Sequence, residues 1–134
     1  MVKMSAKYSG GLHCELVHEL SQSRIETDAP KDNMGKGENF SPTDLMGAAL
    51  ASCILTTLAI LAERDGQSLL GATAEVQKIM NPQPRRIKAL PVLLRLPAKL
   101  PADYRKKLEQ AARTCPVAIS LHPDIEVVIE FSYL

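Results

Sequence analysis

The stretch Ser41 to Ala62, SPTDLMGAALASCILTTLAILA, decides the fold. It opens with Ser at an N-cap, Pro42 at the first helical position and an acid, Asp44, three residues after the cap, which together predict a helix start. The helix is predicted to run to about Arg64, where Asp65-Gly66 closes it. Its sides are nearly all apolar: Leu45, Ala48, Ala49, Ile54, Leu55, Leu58 and Leu61 spread around the axis. The surroundings must therefore cover most of it, and a partner subunit can supply part of that cover. Gly47, Ala48, Ala49, Ala51 and Ser52 are small and let another backbone approach beside Cys53. The apolar run Leu45 to Ala62 lies in mid-chain and is interrupted by Ser52, Thr56 and Thr57, so a buried helix fits it better than a membrane span.

N-terminal to this helix, Asp28 to Asn39 (DAPKDNMGKGEN) is rich in turn formers and reads as a surface loop able to cover a site. Before it, Leu12, Cys14 and Leu16 alternate with His13 and Glu15 over residues 12 to 20, a half-buried strand. Gly10-Gly11 can close a hairpin with a strand near Lys3 to Tyr8, and a third short strand runs from Ser23 to Thr27. C-terminal to the helix, residues 69 to 80 read as a strand, Asn81-Pro82-Gln83-Pro84 as a turn, and Arg86 to Leu96 as a returning strand with Pro91 at an edge or bulge. Pro101-Ala102-Asp103 opens a second, amphipathic helix through Tyr104, Leu108, Ala111 and Ala112, and CPVAISL follows as a turn or short helix. Ile125, Val127, Ile129 and Phe131 alternate with Glu126, Val128 and Glu130 in a final strand. The order predicts one α+β domain over residues 1–134, with a largely antiparallel sheet and a long central buried helix.

Bulk properties narrow the function. The chain has 134 residues, 46% of them hydrophobic and 23% charged, with a net charge of +1, so neither disorder nor electrostatic capture of nucleic acid is indicated. Aromatics make up only 4% and Trp is absent, which removes the stacking surfaces of single-strand binders. The N-terminal residues lack an apolar stretch of signal-peptide length, and three cysteines are an odd number for a secreted disulfide framework. The expectation is a cytoplasmic protein with reduced thiols, acting on a small molecule, with no nucleic-acid or membrane partner.

The cysteines carry the chemistry. Cys115, directly before Pro116 and 62 positions after Cys53, sits where a helix opens, so free N–H groups and the helix dipole are expected to acidify it. Cys53 lies in mid-helix, where no N–H is free, and a nearby cation would have to stabilise its thiolate. Each can also be read as a core or capping residue, and Cys14 fits the apolar face of its strand. The histidines offer no metal or Cys-His spacing: His13 and His18 fall on opposite strand faces, and His122 precedes a proline.

SPTDLMGAALASC followed by CPVAISL, together with the TDAP loop and the LPxxxxxKLxxAAxxCPV segment, resembles the OsmC/Ohr family of thiol peroxidases, essentially over the whole chain. The resemblance implies an OsmC-like fold and an intertwined homodimer with the active site at the subunit interface. It implies that Cys53 is the peroxidatic cysteine and Cys115 the resolving one. A peroxide is then the substrate, a dithiol the reductant, and no cofactor or metal is needed. That assignment is opposite to the local acidity argument. The organic-hydroperoxide branch has a Glu where this chain has Thr43, and Asp44, one step later, is a candidate catalytic carboxylate as well as a capping residue. The family's activating arginine lies in an early loop, where this chain has Tyr8-Ser9-Gly10-Gly11; Arg24, Arg85, Arg86 and Arg113 are the remaining candidates. The alternative is a non-enzymatic dimer of the same fold that binds a small molecule or senses thiol oxidation.

Overall fold

Gly10 and Gly11, with φ of +85° and +61°, adopt the left-handed turn that their lack of a Cβ allows. They join β1 (Met4–Tyr8) to β2 (His13–His18), which pair antiparallel from Met4 opposite His18 to Tyr8 opposite Cys14. β2 pairs in turn with β3 (Ser23–Asp28), giving a three-stranded antiparallel sheet in the order β1-β2-β3. The computed structural model describes residues 1–134 and divides them into two compact units, Met1–Leu45, to which this sheet belongs, and Met46–Leu134. β1 is exposed along its whole length, and Met4, Tyr8 and Ile25 stand exposed on the sheet.

The loop after β3 is folded back on its own base. The Asp28 N–H donates to the Phe40 carbonyl at 3.1 Å and the Gly37 N–H to the Ala29 carbonyl at 3.3 Å. Ser41 then starts α1 (Pro42–Arg64) through the reciprocal capping bonds that the sequence predicts: the Ser41 N–H donates to Asp44 Oδ2 at 2.9 Å and the Asp44 N–H to Ser41 Oγ at 3.1 Å. At its other end Gly66, φ +72°, lets the Gln67 N–H turn back to the Ala62 carbonyl at 2.8 Å.

In the second unit α1 contributes Gly47, Leu50, Ile54, Leu58 and Ala62, the buried residues of a single stripe at helical spacing. By length and composition alone this helix could cross a membrane. Its wholly buried Leu50, Ile54 and Leu58, however, belong to one apolar cluster with Ile87, Leu90, Val92, Leu94, Leu96, Leu108 and Ile129. Met46 and Ile60 remain exposed, so the chain by itself covers one face of a helix that is apolar on nearly all sides.

The strands of this unit are shorter than the sequence pattern suggests. The run 69–80 divides into β4 (Thr73–Val76) and β5 (Ile79–Pro82), and the returning run into β6 (Arg85–Ala89) and β7 (Val92–Leu96). The second break falls at Leu90-Pro91, where proline has no N–H to give a ladder. β5 and β6 form their own antiparallel hairpin, with a register shift between Ile79 and Met80. β4, β7 and β8 (Ile129–Tyr133) form the other sheet in the order β4-β7-β8. Here β8 runs parallel to β7, a departure from an otherwise antiparallel pattern. The parallel pairing follows from the long helical crossover between them, α2 (Ala102–Ala111), a 3₁₀ turn and α3 (Pro116–Ser120). Of the expected final strand, residues 125–128 lie before β8, tied in by an isolated bridge between Ala89 and Glu126.

Candidate active site

α1 presents Cys53 half-buried against the apolar cluster of the second unit, and the α2–α3 corner presents Cys115, which is wholly buried. Cys115 is the N-cap of α3: its backbone is extended (φ −65°, ψ 139°), Pro116 takes the first helical turn, and Sγ accepts the Ala118 N–H at 3.3 Å. Its carbonyl accepts the Ile119 N–H at 3.2 Å. Sequence and local geometry thus agree on the cap.

They do not agree on its acidity. Burial pushes the Cys115 thiol above its ordinary range, and the nearby Cys53 thiol, by hydrogen bond and by charge, pushes it the same way. The N–H groups of Ala118 and Val117 pull downward without offsetting the burial. The expectation of an acidified Cys115 is therefore overturned. α3 is only five residues long and supplies a short dipole, whereas the sulfur has lost all contact with water. The same interaction brings the two sequence-predicted cysteines together across the fold. Both are free thiols, as is the half-buried Cys14 on β2.

Asp44 has its carboxylate on the Ser41 N–H, in the capping geometry, and Thr43 Oγ1 lies 3.2 Å from Ser41 Oγ in the same turn. Among the candidate arginines, Arg86 turns Nη1 onto the Ile87 carbonyl at 2.9 Å, Arg24 stands opposite Val17 on β3, Arg85 opens β6 opposite Pro82, and Arg113 lies exposed on the 3₁₀ turn. His18 Nδ1 lies 2.7 Å from Ser21 Oγ, and no three His, Cys, Asp or Glu side chains cluster as metal ligands would. One polar group was invisible in the sequence: His13 against Asp28 and Glu26. Its members lie 13 to 15 positions apart and meet only through the β2–β3 register.

A helix-borne thiol thus faces a capping thiol in an α+β chain of three small sheets. The family model for OsmC-like proteins matches residues 35–130. The chain belongs to the OsmC family. The OsmC chain is also similar to the crystal structure of a protein from Psychrobacter arcticus 273-4 assigned to osmotic stress induction and detoxification response. Identity is 41%, with 98% of this chain and 96% of that one covered, at a TM-score of 0.93. More distant structures share the fold. The organic hydroperoxide resistance protein OhrB of Bacillus subtilis is 17% identical, with 98% and 97% of the two chains covered and a TM-score of 0.70. The organic hydroperoxide resistance protein of Elizabethkingia anophelis, with thiocyanate bound, is 17% identical, with 100% and 96% covered and a TM-score of 0.76. No curated protein matches the chain.

Proposed function

We propose that the protein is a thiol-dependent peroxidase that reduces organic hydroperoxides, with Cys53 as attacker and Cys115 as resolver. The observation that carries this reading is the contact of the half-buried Cys53 thiol with a wholly buried Cys115 whose own thiolate is disfavoured. A peroxide must reach the attacking sulfur, and Cys115 is closed to solvent. The Cys53 thiolate attacks the distal peroxide oxygen, the O–O bond breaks, and the alkoxide takes a proton and leaves as the alcohol. Cys53 is then a sulfenic acid. Cys115 attacks its sulfur, the S–S bond forms and water leaves. A dithiol returns two electrons, becoming a disulfide itself, and restores both thiols. Asp44 keeps the start of the Cys53 helix in place, and no cofactor enters the cycle.

The active form is a homodimer. α1 buries one stripe of an all-round apolar surface, while Met46 and Ile60 on it and Met4, Tyr8 and Ile25 on the first sheet stay exposed, surface that a second copy would cover. Three free thiols suit a reducing cytoplasm. Hydrogen peroxide is a second, smaller substrate for the same step. Thr43, in the place of the carboxylate of the hydroperoxide branch, favours one other reading, a dimer that binds a small molecule or senses oxidation without turnover.

A steady-state assay with an organic hydroperoxide and a dithiol separates them. The wild type consumes peroxide catalytically and Cys53→Ser does not. Equal, slow consumption by both sinks the peroxidase reading and leaves the sensor.

A further inference from the structure

We propose that His13, Asp28 and Asn39 form a pH-sensitive latch, which holds the 29–40 loop closed on the first sheet while the His13 ring carries both of its protons. His13 opens β2 directly opposite Asp28, the last residue of β3. Its Nδ1 lies 2.7 Å from Asp28 Oδ1 and its Nε2 3.2 Å from Glu26 Oε1. The other oxygen of Asp28 accepts the Asn39 side-chain N–H at 3.0 Å, and the Asp28 backbone N–H binds the Phe40 carbonyl. One residue on, the Ala29 N–H donates to the Leu12 carbonyl at 3.0 Å. Both ends of the loop are thus gathered at Asp28, which is only 4% exposed.

An ionised carboxylate can only accept hydrogen bonds, so a ring between two of them must donate from both nitrogens, and only the imidazolium can. Losing one proton leaves a ring lone pair facing a carboxylate oxygen. The Asp28 hydrogen bond raises the ring's affinity for its proton above the ordinary 6.5. Burial works against this, and Glu26 works with Asp28. In return the ring, and then Asn39, hold Asp28 ionised below the ordinary carboxylate range, against a desolvation that raises it. The signs follow by linkage. The ring's raised value means that its contribution is full below 6.5 and is lost as pH climbs through the higher folded value. The lowered Asp28 value means that its contribution is lost only in acid. The latch is closed between those limits.

The other charges on this face are Glu15 beside His13 on β2, Lys7 opposite Glu15 on β1, and Arg24 beyond Glu26 on β3. The loop brings Lys31, Asp32, Lys36 and Glu38, and the neutral Asn39 is its contact with the Asp28 carboxylate. Lys7 pairs in register with Glu15 and Arg24 with Val17, so neither stands opposite His13 or Asp28. His13 is therefore the group that switches. Because the loop runs directly into Ser41 and the Cys53 helix, the latch sets how firmly the chain is held before that helix.

Amide hydrogen exchange followed by mass spectrometry on the full-length protein tests this from about pH 5 to about pH 9, corrected for intrinsic base catalysis. Expected is a several-fold fall in protection of the 29–40 peptide as pH rises through a midpoint above 6.5, while a peptide from β7 does not change. In His13→Gln the loop is less protected in acid and the transition disappears. A wild-type loop whose corrected protection is flat across the range overturns the proposal, as does a His13→Gln loop that keeps the transition. If that variant does not fold, titration of the wild-type His13 ring proton by NMR decides: a midpoint above 6.5 is expected, and one below it overturns the latch.

Discussion

One equivalent of an organic hydroperoxide, added to the reduced protein and followed by thiol blocking, is expected to join Cys53 to Cys115. The bond would close a loop 62 positions long across the second unit, from α1 to the cap of α3. In the chain-entropy account a loop of that length removes roughly 4 kcal/mol of unfolded-state freedom, an upper bound because native strain subtracts from it. For a chain of 134 residues that corresponds to a rise in Tm of about 10–15 °C. The two thiols interact in the reduced fold, so little backbone movement is needed and most of the gain is expected to survive. Calorimetry of the oxidised protein, with and without a dithiol, reads the shift, and non-reducing peptide mapping reads the bond. Cys115→Ser is expected to show neither. A Cys53–Cys115 bond that leaves Tm unchanged or lower would refute the argument that the sulfurs are already placed to join. Oxidation that bypasses this bond, pairing Cys14 or two chains, would refute the pairing itself.

Four further variants test local geometry. Cys53→Ala is expected to lower the Cys115 pKa, since it removes the two influences of the neighbouring thiol while burial remains; ultraviolet thiolate absorbance against pH would show a titration at unchanged or higher pH if this is wrong. Gly47→Ala is expected to stabilise by about 0.5–1 kcal/mol in thermal unfolding, because the new Cβ meets Leu90 at 3.5 Å and Val76 at 3.8 Å, ordinary contacts, and alanine favours the helix; Gly35→Ala, whose Cβ would run into the Ala29 carbonyl, is expected to destabilise and to raise exchange in the loop. Ser41→Ala removes one arm of the capping box and is expected to cost about 1 kcal/mol in denaturant unfolding, whereas a loss below the error of the method would mean that the box is not what starts α1.

Features written in neighbouring residues were legible in the sequence. The start of α1 at Ser41 and its end at Gly66 are encoded within a few positions each, and both appear with the expected bonds. So does the Gly10-Gly11 hairpin. Features that depend on distant partners were not legible. The breaks that divide β4 from β5 and β6 from β7 reflect which neighbours each segment finds, and the parallel direction of β8 reflects the crossover rather than its alternating pattern. At the candidate site the cap of Cys115 was readable from Pro116, but its burial was not. Burial, a tertiary property, reversed the sign of the local acidity argument. His13 and Asp28 were visible only as separate strand and loop residues until the register set them side by side.

Trapping of the first oxidised sulfur separates attacker from resolver. Each of Cys115→Ser and Cys53→Ser is given one equivalent of organic hydroperoxide in the presence of a cyclic dione that captures sulfenic acids, and the labelled peptide is identified by mass spectrometry. A stoichiometric adduct is expected on Cys53 in Cys115→Ser and none on Cys115 in Cys53→Ser. An adduct on Cys115 in Cys53→Ser, formed as fast as the first, or no adduct in either protein, would contradict Cys53 as the attacker.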